Sequence, residues 1–267
     1  MNQLQIMMEA ARAGGQELKN YFGGVLEINQ KNMPRNFVTQ ADLASERVVS
    51  SILRTAFPDY NFEGEEGGFF DNHSPYTFVV DPLDGTYNFS VGLPHFSVLI
   101  GLLHHDEVIA GVAYEPMQDR MFYAQKLSGA FMNGQRIYVS DVNALQHVGV
   151  TYTCDYATPV EQEQTTVMAL RKAGVKRVFN MWGAGVDFCW LASGKIDACV
   201  MDGAELHDFA AVKIIAREAG GIITDFMGNS EENDRNNKFL VTNGTAIHGQ
   251  ILSIIQSAKG TFSTPKT

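Results

Sequence analysis

Cysteine and basic charge are scarce in this sequence, and each scarcity removes a class of function. The three cysteines, Cys154, Cys189 and Cys199, form no C-x-x-C pair. An odd count without that spacing supplies neither a disulfide framework nor a zinc site. Cys189 and Cys199 stand in apolar runs and read as buried packing residues. Lysine and arginine total 20 against 30 aspartates and glutamates, a formal net charge of -10. Such a field repels nucleic acid unless a basic patch intervenes. The best cluster, Arg171, Lys172, Lys176 and Arg177, reads instead as the solvated end of a helix and its loop. Long apolar runs are missing too: the longest, Phe96 to Leu103, is too short to span a bilayer. Met1-Asn2-Gln3-Leu4 carries no basic segment followed by an apolar one, so a cytoplasmic protein without membrane contact is expected.

The composition that remains is ordinary and globular. With 267 residues, 45% of them hydrophobic, the chain can bury a sizeable core in one large domain or two small ones. Apolar residues at Leu4, Met7, Met8, Ala11, Leu18 and Phe22 form a helical stripe. Gly14-Gly15 interrupts it, and a close helix contact would explain small residues there. Asn29 to Asn36 reads as a polar loop, and Thr39 as an N-cap, with Asp42 three residues on, for a helix through Ala56. Tyr76–Val80, Ser97–Leu103 and Val108–Glu115 are β-rich, and Gly129 to Gln135 carries an Asn-Gly hairpin signal.

This first half, residues 1–142, reads as helices on an antiparallel-leaning sheet. After about Val142 strands and helices alternate, which predicts a mostly parallel layer over residues 143–267. The expected class is α+β / α/β, the halves packing as one body of stacked layers.

The chemistry concentrates in carboxylates. Asp81-Pro82-Leu83-Asp84-Gly85-Thr86 follows directly on the apolar run Thr77-Phe78-Val79-Val80. Asp-Pro and Asp-Gly are turn-forming pairs, so in isolation the segment is a surface turn. At the tip of a strand, however, it delivers two carboxylates together, as hard divalent cations such as Mg²⁺ require. Gly85 and Thr86 then offer backbone N–H groups to phosphate oxygens. Gly64-Glu65-Glu66-Gly67-Gly68 supplies a second acidic pair, and Asp208 opens the helix Phe209 to Ala219.

In order and spacing these pieces resemble the inositol monophosphatase family, within the wider lithium-sensitive sugar-phosphatase superfamily. The carriers are Val38-Thr39-Gln40-Ala41-Asp42, Gly64-Glu65-Glu66, Asp81 through Phe89, the Gly129–Gly134 hairpin, and Asp208 through Gly221. The resemblance implies a layered αβαβα sandwich and a homodimer. It implies hydrolysis of a small phosphate monoester, inositol monophosphate first, by in-line attack of water. Two to three Mg²⁺ ions, with Mn²⁺ as an alternative, would be held by Glu65, Asp81, Asp84, Asp208 and the Leu83 carbonyl. Thr86, paired with Asp42, would orient and deprotonate the attacking water. Lys31, eleven residues before Asp42, matches a lysine near the active site in the family, though a solvated loop lysine is an equal reading.

The segments expected to face the alcohol half of the substrate depart from the family. Met201 stands where the family has a hydroxyl-binding Glu, with Asp202 adjacent, and His207 stands where it has Trp. Trp182-Gly183-Ala184 carries a bulkier residue than the family's, expected to narrow or reshape the pocket. The alternatives are phosphatases acting on histidinol phosphate, a sugar phosphate or a nucleotide 3′-phosphate. A rival of another class is a non-catalytic, RNA-associated regulator on the same fold, which the net charge and the full acid set disfavour.

Overall fold

The protein was analysed as a computed structural model, which describes residues 2–31, 36–231 and 234–260. Part of the expected polar loop, residues 32–35 with Pro34, lies outside the described residues.

The amphipathic stripe at the start becomes helix α1 (Gln3–Tyr21). Strands β1 (Ile28–Gln30) and β2 (Phe37–Thr39) form an antiparallel pair where a loop was expected, and they lead into α2 (Gln40–Ala56). The capping box is present: the Thr39 hydroxyl accepts from the Ala41 N–H, and the Thr39 N–H donates to Asp42 Oδ2 at 2.9 Å. Gly14 and Gly15 let α1 lie close to its neighbours. A Cβ on Gly14 would meet Val49 Cγ2 at 2.7 Å, and one on Gly15 the Tyr114 ring at 2.6 Å.

Strands β3 (Asn61–Gly64), β4 (Gly68–Phe70) and β5 (Tyr76–Asp84) precede a short helix α3 (Thr86–Ser90). Then follow β6 (Ser97–His104), β7 (Glu107–Glu115), β8 (Arg120–Gln125), β9 (Gly129–Met132) and β10 (Gln135–Ile137). Together they build an eight-stranded sheet ordered β10-β9-β8-β7-β6-β5-β3-β4. It is antiparallel except for β3 against β5, which run parallel.

The second half supplies β11 (Gly149–Cys154), α4 (Val160–Lys172), β12 (Arg177–Phe179), α5 (Ala184–Ala192) and β13 (Ala198–Asp202). It closes with α6 (Leu206–Glu218), β14 (Ile222–Asp225), β15 (Lys238–Thr242) and α7 (Ile247–Gly260). Its five-stranded sheet, β12-β11-β13-β15-β14, is mixed rather than mostly parallel. Helical crossovers keep β11 parallel to β12 and β13, whereas no helix separates β14 from β15 among the described residues, and that strand turns back antiparallel.

The layers run α1/α2, large sheet, α5/α6, small sheet, α4/α7, an αβαβα stack. The central core lies between the sheets, where Phe188, Phe209, Phe239 and Met201 meet. Cys189 and Cys199 are buried, as expected of packing residues, and Cys154 is buried as well. No helix among the described residues is long and apolar enough to cross a membrane.

Candidate active site

The parallel pairing of β3 with β5 creates the site. Gly64 stands opposite Val80, so the residues that follow, Glu65 and Asp81, emerge side by side at the same sheet end. The Glu65 N–H donates to the Val80 carbonyl at 3.1 Å and fixes that exit. Between Asp81 and Asp84 the register of β5 against β6 shifts, and such an irregularity re-aims side chains out of the regular pleat. Asp81 Oδ1 accepts from the Leu83 N–H at 2.9 Å, and Ser45 Oγ donates to the Pro82 carbonyl at 2.8 Å. Gly85 then turns the chain at φ 87°. A Cβ there would also strike the His95 carbonyl at 2.8 Å, so both space and backbone demand glycine.

Asp84 is oriented through one oxygen. Its Oδ2 accepts from Ser97 Oγ at 2.9 Å and from the Gly185 N–H at 3.0 Å. Asp208, on the first turn of α6, accepts from the Glu205 N–H at 2.7 Å through Oδ2 and keeps 32% of its side chain open. Asp208 thus takes part in the capping box of α6, beyond the electrostatic role expected at a helix N-terminus, yet its other oxygen remains on the cleft.

The cleft has a volume of about 830 Å³ and is lined by Glu65, Asp81, Leu83, Asp84, Gly85, Thr86 and Asp208 on one side. Burial and mutual repulsion hold Asp81, Asp84 and Asp208 toward their protonated forms. Burial first, then the charges of Glu65, Asp84 and Asp208, push the Asp81 carboxyl well above the usual range. Burial and then the charge of Asp208 raise Asp84 to about 7. Burial raises Asp208 to about 6, against the opposing charge of His207. Two cationic partners reach the cluster among the described residues. Lys31 Nζ donates to Glu65 Oε1 at 2.8 Å and to Glu66 Oε1 at 2.5 Å. His207 Nε2 lies 3.5 Å from Asp208 Oδ1 and 3.9 Å from Glu65 Oε1.

Among the described residues, no three His, Cys, Asp or Glu side chains are already gathered into a metal-ligand shell. The donor set still fits a hard divalent cation. It is all oxygen and anionic, with its largest perturbations caused by burial and like charge, the two conditions that added positive charge relieves. Glu65, Asp81, Asp84, Asp208 and the Leu83 carbonyl are the groups that would hold it.

Thr86 Oγ1 stands 3.0 Å from the Leu83 carbonyl and 3.3 Å from Asp42 Oδ1. Asp42 is fully buried, and burial raises its carboxyl to about 6 although the Thr39 hydrogen bonds oppose the rise. A carboxylate with that value is largely ionised near neutral pH and can still take a proton.

The other wall of the cleft carries Thr153, Cys154, Asp155, Tyr156 and Ala157 after β11, Trp182 and Ala184 before α5, and Gly203 to Glu205 after β13. Trp182 and Ala184 are where the sequence placed them, and Gly183 sits behind them as the N-cap of α5. Met201 and Asp202 are corrections. Met201 is fully buried in the central core. Asp202 Oδ2 accepts from Tyr152 Oη at 2.8 Å and Gln162 Nε2 at 2.9 Å, away from the cleft. Both end strand β13, and the cleft begins beyond the strand, at Gly203. Sequence reasoning missed Tyr156, Glu205 and Asn237. Only Glu205 carries a local signal, as the cap residue three before Asp208.

Residues 2–259 match the inositol monophosphatase family. The chain is 32% identical over 256 residues to the fructose-1,6-bisphosphatase/inositol-1-monophosphatase of Thermotoga maritima, covering 96% of each. It is 30% identical over 264 residues to a Pseudomonas aeruginosa protein named Nus factor SuhB, covering 95% of each. Among solved structures, a Thermotoga maritima IMPase superposes with a TM-score of 0.90 at 30% identity, over 98% of this chain and 100% of that one.

Proposed function

The chain belongs to the inositol monophosphatase family, and from that premise we propose that it hydrolyses a small phosphate monoester with Mg²⁺ bound at Glu65, Asp81, Asp84, Asp208 and the Leu83 carbonyl. The observation that carries this reading is the convergence of four carboxylates from β3, β5 and α6 in one cleft, with Thr86 and Asp42 beside them.

Bound Mg²⁺ supplies charge for the phosphoryl oxygens, lowers the pKa of the attacking water and stabilises the departing alkoxide. The protein's own residues do the rest. Ser97 and the Gly185 N–H lock Asp84 so that its second oxygen stays available to the cleft. The Thr86 hydroxyl donates to a fixed acceptor, leaving its lone pairs to accept from the water and aim it, and Asp42 takes the released proton. Gly85 and Thr86 present their backbone N–H groups to the phosphate. The water oxygen forms the new P–O bond, the ester P–O bond breaks, and the departing alkoxide takes a proton from solvent water, while Asp42 later returns its proton to solvent. Lys31 balances Glu65 and Glu66 until substrate and metal arrive.

The substrate proposed first is an inositol monophosphate. The rivals are fructose 1,6-bisphosphate, the pairing in a relative's name, histidinol phosphate and a nucleotide 3′-phosphate. Phosphate release measured across these compounds with and without Mg²⁺ ranks them. Full Mg²⁺-dependent activity in Asp84→Asn would refute the site. The name Nus factor carried by a relative makes a transcription role the second reading. Robust turnover without RNA binding at moderate salt removes it. A cytoplasmic homodimer is the proposed setting, checked by sedimentation and cell fractionation.

A further inference from the structure

The alcohol side of the cleft carries two aromatic side chains beside its polar groups Thr153, Asp155, Glu205 and Asn237. Tyr156 and Trp182 sit with ring centroids 5.0 Å apart and planes tilted by 45°. They come from different loops, each at the carboxyl end of a parallel strand, and both line the cleft opposite the acids. Tyr156 keeps 37% of its surface open, and the charges of Asp208 and Glu65 reach its hydroxyl.

Trp182 is held there against a backbone preference. Its φ is 50°, in the left-handed region where a bulky side chain is strained and glycine is at ease. The loop enforces that geometry. Asn88 Nδ2 donates to the Met181 carbonyl at 2.7 Å and to the His95 carbonyl at 3.0 Å. Gly183 packs so tightly on His95 that a Cβ would lie 2.7 Å from its ring. The chain on either side of Trp182 is thus pinned, and the indole is turned toward Tyr156 and the cleft.

The polar groups of that wall are already committed in part. Asp155 Oδ1 accepts from the Ala157 N–H, and Asn237 Nδ2 donates to the Ala204 carbonyl at 3.0 Å. Met201 and Asp202, the side chains expected to meet hydroxyls, face elsewhere. An alcohol meets the exposed Glu205 carboxylate here, and a flat ring in addition meets the paired aromatic side chains.

We propose that Tyr156 and Trp182 form the specificity-determining wall of this site, and that the preferred substrate is a phosphate monoester whose alcohol carries a planar aromatic or heteroaromatic ring. The proposal rests on the phosphatase reading above and puts a ring-bearing alcohol ahead of inositol as its substrate.

The test is kcat/KM for Mg²⁺-dependent phosphate release from 2-phenylethyl phosphate, 2-cyclohexylethyl phosphate and inositol 1-phosphate. The cyclohexyl compound matches the phenyl one in apolar bulk but has no flat π-face. The expected result is a preference for phenyl of roughly tenfold or more over both others, the worth of one ring stack. Trp182→Gly relieves the backbone and keeps the fold, and it collapses the phenyl-to-cyclohexyl ratio toward one. Tyr156→Leu lowers that ratio, and Trp182→Phe retains part of it. Turnover with equal use of phenyl and cyclohexyl substrates, or with inositol 1-phosphate preferred, overturns the aromatic wall and leaves the phosphatase reading intact. Phosphate release from none of the panel substrates of either section sinks both.

Discussion

Replacing Asp84 by Asn should make the metal-free protein more stable near neutral pH while weakening its stabilisation by Mg²⁺. Asp84 is only 6% exposed, and its carboxyl is raised from an ordinary value near 3.8 to about 7 by burial and then by the charge of Asp208. A raised acid binds more protons folded than unfolded, so stability falls as pH climbs between those values. A shift of that size corresponds to at most about 4 kcal/mol lost by pH 7.5. Even half of it moves the melting temperature of a chain this long by about 4–8 °C. Asparagine preserves the anchoring, because its one carbonyl oxygen can accept from both Ser97 Oγ and the Gly185 N–H. The assay is thermal unfolding of wild type and Asp84→Asn at pH 5 and 7.5, in chelator and in excess Mg²⁺. Wild type should lose stability toward pH 7.5 in chelator and regain it with Mg²⁺, mainly at the higher pH. The variant should lose less toward pH 7.5, because only Asp81, Asp208 and Asp42 among the raised acids of the site remain, and it should regain less with Mg²⁺. A wild type equally stable at both pH values without metal, together with a variant no more stable than it, would refute the reasoning.

Thr86→Ala should lower kcat by roughly 10²–10⁴-fold, the usual loss for a group that positions proton transfer, with KM moving much less in steady-state kinetics. Lys31→Met removes the cation paired with Glu65 and Glu66, so Mg²⁺ should bind about fivefold more tightly by calorimetric titration. Weaker binding would show that Lys31 assembles the site rather than competing for it. Gly15→Ala places a methyl 2.6 Å from the Tyr114 ring and should cost about 1–3 kcal/mol in urea unfolding. Millimolar-range Li⁺ should inhibit Mg²⁺-dependent phosphate release; activity indifferent to it counts against the proposed metal arrangement while sparing the phosphatase chemistry.

Much of this molecule is legible locally. The N-cap at Thr39 depends on a side chain and N–H groups within one turn, and it appears where Thr39 and Asp42 predict it. The stripe in α1 and the alternation after Val142 are periodicities, which a chain displays before it packs. Failures occur where distant segments decide. The small sheet is mixed because β15 turns back antiparallel on β14. Met201 and Asp202 stand at the family's substrate-facing position, and Asp202 has a suitable side chain, but both belong to the strand, one facing the central core and the other Tyr152. Tyr156 sits in a loop with no periodic signal, and only its meeting with Trp182 gives it a role.

The sequence by itself determined the element types and the presence of a strand-tip carboxylate pair, because backbone preference, capping and turn chemistry act over a few residues. The resemblance to the family marked Glu65 and Asp208 as companions to Asp81 and Asp84. Only the tertiary structure brought β3 parallel to β5 so that Glu65 and Asp81 emerge together, turned Asp84 by means of Ser97 and Gly185, and set Tyr156 against Trp182. Those contacts join residues up to 101 positions apart. Their geometry follows from how sheets and helices stack, information that no short window of sequence contains.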